Sequence, residues 1–207
     1  MDSALPDVDD GSTRARSRYE FRVWGRRDET CDVLSRLADE ERVESHEDWY
    51  LLLGQRSCNA KIRRNRLKVK RLIEERFGFQ RWAAVRHRMA SGDVCPLELL
   101  MDELRLDDPN QGCPPDFEAP AGRATPGGAV PALHVTKWRR RFDLGSIRAE
   151  ATEVEIEGHS GRLRTVAIEG HELDELIRLR ASLGLDRSPN LAFHLAISSL
   201  VLGRVVG

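Results

Sequence analysis

Residues 59–73 read NAKIRRNRLKVKRLI, and the alternation in that stretch governs how the rest of the chain is read. In an extended strand, side chains at i and i+2 share a face. Lys61 and Arg63 therefore point together, as do Lys68 and Lys70, while Ile62, Leu67 and Val69 take the opposite face. A turn near Asn65 divides the stretch into two strands, over 59–64 and 66–73. The pattern returns in KWRRR at 137–141, where Lys137, Arg139 and Arg141 share a face and Trp138 lies behind them. Arg66 and Arg140 depart from the clean division.

Working outward, 19–25 alternates and ends in Gly25, which predicts a strand, and 48–53 predicts another. Between them, Val33, Leu34, Leu37 and Ala38 recur at helical spacing within a helix over 28–40. Residues 77–89 carry no firm assignment. Pro96 opens a short helix over 96–104, and a Pro- and Gly-rich loop follows at about 106–131. Beyond it, 133–142, 146–157 and 162–169 predict three strands whose short connections favour antiparallel pairing. An amphipathic helix over 171–183 stops at Gly184, and Pro189 opens a final apolar helix over 190–202. Residues 1–17 read as a disordered leader, which leaves 18–207 as one α+β domain.

The formal net charge is -1, so global charge does not direct the chain to nucleic acid or to acidic membranes. No apolar run approaches the roughly 20 residues needed to span a bilayer. Cys31, Cys58, Cys95 and Cys113 form no CxxC pair, which argues against a disulfide framework or zinc site and fits a reducing cytoplasm. The histidines are scattered without metal-ligand spacing.

A solvated outer face would account for some of the alternating charge. Three strands that each place two or more cations on one face repel one another unless acids or an anion lie between them. Phosphate chains meet that need, because Arg offers forked donors and Lys a point charge. Acids beside such a cluster make sense as ligands for Mg²⁺ or Mn²⁺, hard cations that bridge carboxylate and phosphate oxygens.

The order of these features resembles the CYTH superfamily, the triphosphate tunnel metalloenzymes. A charged first strand (Glu20, Arg22) precedes a helix and the Trp49-Tyr50-Leu51 strand; Lys-Ile-Arg at 61–63, Lys-Val-Lys at 68–70 and Lys-Trp-Arg at 137–139 follow. A Glu-rich strand (150–155), Ala-Ile-Glu at 167–169 and a helix complete the order, over roughly residues 19–202. The resemblance implies an antiparallel eight-stranded β-barrel, or tunnel, with flanking helices. It implies phosphate binding by Arg22, Lys61, Arg63, Lys68, Lys70, Lys137, Arg139 and Arg141. It also implies Mg²⁺ or Mn²⁺ held by carboxylates among Glu20, Glu150, Glu153, Glu155 and Glu169, with Glu20 and Glu169 as the catalytic pair. The implied chemistry is attack of water on a terminal phosphoryl group of a triphosphate or polyphosphate.

The family's opening motif is Glu-x-Glu-x-Lys, whereas this chain reads Glu20-Phe21-Arg22-Val23-Trp24; its closing Glu-x-Glu is Ala167-Ile168-Glu169 here. The phosphate half of the pattern is thus better kept than the metal half, which places ligand binding ahead of fast catalysis. Three readings stand at this point: a metal-dependent triphosphatase, an inactive anion- or nucleotide-binding module, and a single-stranded nucleic-acid binder. The third draws on about a dozen cations between Arg56 and Arg88 and on Phe77, Phe79 and Trp82.

Overall fold

Strand β1 (Thr13–Trp24) leads into helix α1 (Asp28–Leu37), followed by β2 (Glu40–Leu51), β3 (Cys58–Arg63), β4 (Arg66–Arg76) and β5 (Phe79–Arg88). Then come β6 (Ala132–Leu144), β7 (Ile147–Ile156), β8 (Arg162–Gly170) and helices α2 (Leu173–Ser182) and α3 (Phe193–Val201). The computed structural model describes residues 13–53, 56–89 and 132–201. The predicted helix over 96–104, the Pro- and Gly-rich loop and residues 1–12 of the leader lie outside them.

Neighbouring strands pair antiparallel in the order β1-β5-β4-β3-β2-β6-β7-β8, and β8 pairs back onto β1, so the sheet closes. The α+β class and the eight-stranded antiparallel barrel are as the sequence reading implied. Closure leaves no unpaired sheet edge.

Two-residue turns set the register. Arg64 and Asn65 both sit at positive φ (46° and 56°) between β3 and β4, as do Phe77 and Gly78 (51° and 79°) between β4 and β5. Such turns match the twist of the strands they join. The predicted helix end at Gly184 takes the expected form: its φ is 68°, its N–H donates to Ala181 O, and Leu185 N–H donates to Arg180 O.

Three strands differ from expectation. β1 starts at Thr13, inside the stretch read as leader, because its first residues pair with the end of β5 (Thr13↔Arg86). β2 starts at Glu40 rather than Asp48 and pairs with β6 along its whole length, from Glu40↔Asp143 to Leu51↔Ala132. β5 fills the region left without assignment.

The largest apolar core lies outside the barrel wall. Tyr19, Phe21 and Val23 of β1, Phe79, Phe142, Val166 and Ile168 pack with Leu34 of α1 and Leu176 of α2. Each fully buried side chain of this size contributes about 1.5–3 kcal/mol. Because alternate residues of β1 feed that outer core, Glu20 and Arg22 are turned into the barrel. A second apolar cluster closes one barrel end, where Phe193 and Ile197 of α3 pack on Tyr50, Val135, Val154 and Ile156. Among the described residues, no helix is long and apolar enough to cross a membrane.

Candidate functional site

The barrel interior holds a cavity of about 380 Å³ lined by eleven Lys and Arg side chains against three Glu. Ala192 and the start of α3, Phe193 and His194, form its floor, while the exposed Arg66 and Arg148 stand at the opposite mouth. The segment before α3 is stitched to β1 at Arg22, whose N–H donates to Asn190 Oδ1 (2.9 Å) and whose carbonyl accepts from Leu191 N–H (2.9 Å).

Within the wall, Asp48 is fully buried and faces three cations. Lys61 Nζ lies 2.9 Å from Oδ2, Arg63 Nη2 2.8 Å and Lys137 Nζ 3.2 Å. Burial alone would raise the Asp48 carboxyl, but the Arg63 hydrogen bond and the charges of Lys61 and Lys137 hold it far below the usual carboxylate range. Lys137 Nζ also donates to Tyr50 Oη (2.6 Å) and stands 3.5 Å from the centre of the Phe193 ring. Burial, then Lys61, draws Lys137 well below its ordinary value, and burial brings Lys61 to about 8. His46 is pushed down to about 3 by burial and by Arg63 and Arg139, so it is neutral.

Beside this cluster, Arg22 lies between two carboxylates. Its Nη2 is 2.6 Å from Glu150 Oε1 and 3.1 Å from Glu20 Oε1. The outer oxygens are held as well: Glu20 Oε2 by Lys70 Nζ (2.8 Å) and Glu150 Oε2 by Arg139 Nε (3.2 Å). Burial opposes ionisation of both acids, yet Lys70 and Arg22 at Glu20, and Arg139 and Arg22 at Glu150, keep them ionised through the physiological range. Glu169 sits near the mouth, paired with Arg18 (3.0 Å).

Toward the mouth the balance changes. Among the described residues, no carboxylate forms an ion pair with Lys68 or Arg141, although both line the cavity. Lys68 is brought down to about 7 by burial and by Lys70, Lys61 and Arg86, with Glu20 a weaker opposing influence. Like charges around Lys68 thus disfavour its protonated form.

The structure thus brings Glu20, Arg22, Lys61, Arg63, Lys68, Lys70, Lys137, Arg139, Arg141, Glu150 and Glu169 to one cavity. It does not bring Glu153 and Glu155 there. Glu150 faces inward, so odd-numbered residues of β7 face out. Glu153 meets Arg164 (2.8 Å) and Arg162 (3.4 Å) on the outer wall, and Glu155 meets Arg162 (3.5 Å). Asp48 escaped the sequence reading because β2 was begun at that residue, which hid the inward run Glu44, His46, Asp48, Tyr50. Arg86 escaped because β5 had no assignment. Phe79 and Trp82 are buried, Phe79 in the outer core and Trp82 under Lys70 against His194, so neither offers a free stacking face.

The acid set does not fit the expected Mg²⁺ or Mn²⁺. Among the described residues, no three His, Cys, Asp or Glu side chains converge to hold an ion. Such ions need several oxygen ligands at close range, and the interval between Glu20 and Glu150 is filled by the Arg22 guanidinium.

No protein-family model matches the chain, and no curated protein matches it in sequence. Solved structures do share its backbone. A conserved hypothetical protein from Pyrococcus furiosus superposes with a TM-score of 0.51 at 18% identity, over 86% of this chain and 99% of that one. The PH1012 protein from Pyrococcus horikoshii gives 0.52 at 15% identity, over 86% and 98%. The Hippeastrum protein HpAC1, described as an adenylyl cyclase candidate with a dominant triphosphatase activity, gives 0.52 at 13% identity, over 91% and 97%. The chain has a CYTH-like tunnel fold. At these identities the likeness concerns the fold, and the tunnel's chemistry has to be argued from its own side chains.

Proposed function

We propose that the tunnel binds the phosphate chain of a triphosphate-containing molecule, entering at the Arg66 and Arg148 mouth and ending beneath α3. The observation that carries this reading is the set of lining cations, Arg66, Lys68, Arg86 and Arg141, with which no carboxylate among the described residues forms an ion pair, in a cavity where eleven cations face three acids. A triphosphate is a compact polyanion whose oxygens accept from several Lys and Arg side chains at once. With α3 as a floor, the site suits a chain end rather than a strand threaded through the barrel. The described triphosphatase activity of HpAC1 is consistent with this ligand class.

Binding, rather than turnover, is the activity the inner acids favour. Glu20 has both oxygens on cations, and Glu169 is paired with Arg18, so neither is placed to hold a metal or to take a proton from water. Their role in this reading is to fix Lys70, Arg22 and Arg18. Inorganic triphosphate, thiamine triphosphate and nucleoside triphosphates, titrated by calorimetry with phosphate release followed in parallel, test the proposal. All three should bind with similar affinity, weakening with salt, and Lys68→Met should weaken each about 10- to 100-fold. Absence of binding by inorganic triphosphate would overturn the proposal.

A further inference from the structure

The arrangement around Arg22 has the form of a cation site whose cation is part of the chain. One nitrogen, Nη2, lies 3.1 Å from Glu20 Oε1 and 2.6 Å from Glu150 Oε1. The residue is pinned on every side: its N–H on Asn190, its carbonyl on Leu191, its Nη1 3.4 Å from Thr165 Oγ1 and its guanidinium over the Phe193 ring. The side chain is 7% exposed, so it cannot swing out to make room without unpacking α3 from the floor.

Resting on the triphosphate reading above, we infer that Arg22 is a resident counter-cation in place of a metal, and that the tunnel takes its phosphate chain metal-free. A divalent ion entering between Glu20 and Glu150 would have to displace a buried guanidinium that already makes charge-assisted hydrogen bonds to both acids. An ion arriving on the ligand would cancel two of its negative charges, and so weaken its attraction to a lining already rich in cations. Metal is therefore excluded from the acids and disfavoured on the ligand.

Calorimetric titration of inorganic triphosphate into the full chain, once in EDTA and once in excess Mg²⁺, tests this. Affinity in EDTA should exceed that in Mg²⁺ several-fold. Affinity lower in EDTA by tenfold or more would overturn the inference while leaving the triphosphate reading intact; binding in neither condition would overturn both. A second measurement needs no phosphate ligand. Mn²⁺ should leave the melting temperature of the unmodified chain and of Arg22→Lys unchanged, but raise that of Arg22→Gln, in which Glu20 and Glu150 lose their shared cation. An Mn²⁺ shift in the unmodified chain, or none in folded Arg22→Gln, would overturn the inference.

Discussion

Asp48 and Lys68 project into the same barrel, yet their charges are balanced in opposite ways. Around Asp48, three cations converge on one buried carboxylate, which they hold ionised. Around Lys68, the neighbours are Lys70, Lys61 and Arg86, and among the described residues no acid pairs with it. The first arrangement holds strands β2, β3 and β6 in register. The second sets Lys68 among like charges, a repulsion that loss of its proton or arrival of an anion would relieve. Counting cations on a strand face cannot tell the two apart, because the difference lies in which of them meet a carboxylate.

Removing the hub should produce the largest effect. Asp48→Ala leaves Lys61, Arg63 and Lys137 facing one another in the wall. Loss of one partner from a buried charge cluster costs about 3–5 kcal/mol, read as a large fall in the urea midpoint. Adding Lys137→Met to that variant should recover part of the loss, since it removes the most buried of the stranded cations. Lys68→Met inverts the outcome: stability is retained or raised, while triphosphate affinity falls about 10- to 100-fold. Equal stability losses in Asp48→Ala and Lys68→Met would erase the distinction between the two regions.

That distinction also marks how far the sequence could be read. The strand hairpin at 59–73 announces its register through Lys61/Arg63, Lys68/Lys70 and the turn at Asn65, and the cationic face it implies does point into the tunnel. β2 is different. Its EERVESHE start has too many charges to resemble a strand, and its β conformation comes from pairing with β6, a contact remote in sequence. Without that partner, the inward alternation leading to Asp48 is invisible. β5 was obscured by Phe77, a large side chain at a positive φ where a turn more often places Gly or Asn. Glu153 shows a third limit. Alternation places it on one face with Glu155, and the register of β7 against β8 shows that this face points out.

Titration probes the Lys68 region with a smaller effect. Lys68 has a folded value near 7, below the 10.5 of a free lysine. Between those values the folded chain has shed a proton that the unfolded chain retains, so stability rises with pH across the window. Lys61, at about 8, contributes in the same direction. A bound triphosphate restores the proton, so affinity should fall as pH rises above about 7, by at most about tenfold per unit for one coupled proton. Calorimetry in buffers of differing ionisation heat should register proton uptake on binding, and Lys68→Met should diminish it. Affinity independent of pH from 7 to 9 would mean that Lys68 lies outside the ligand's reach.

The smallest effect belongs to the outer wall. Glu153→Gln removes one charge from β7, as Glu150→Gln does three residues earlier, but the two acids face opposite sides of the sheet. Glu153 meets Arg162 and Arg164 where water screens the pairs, so its loss should change stability by about 0.5 kcal/mol or less. Triphosphate affinity should be unchanged. Glu150→Gln strips Arg22 and Arg139 of a shared buried partner and should lower the melting temperature clearly. It should also strengthen triphosphate binding, because one acid fewer then opposes the ligand. A shift in affinity on Glu153→Gln as large as on Glu150→Gln would mean that β7 is turned over, since the pleat cannot bring both residues into the tunnel.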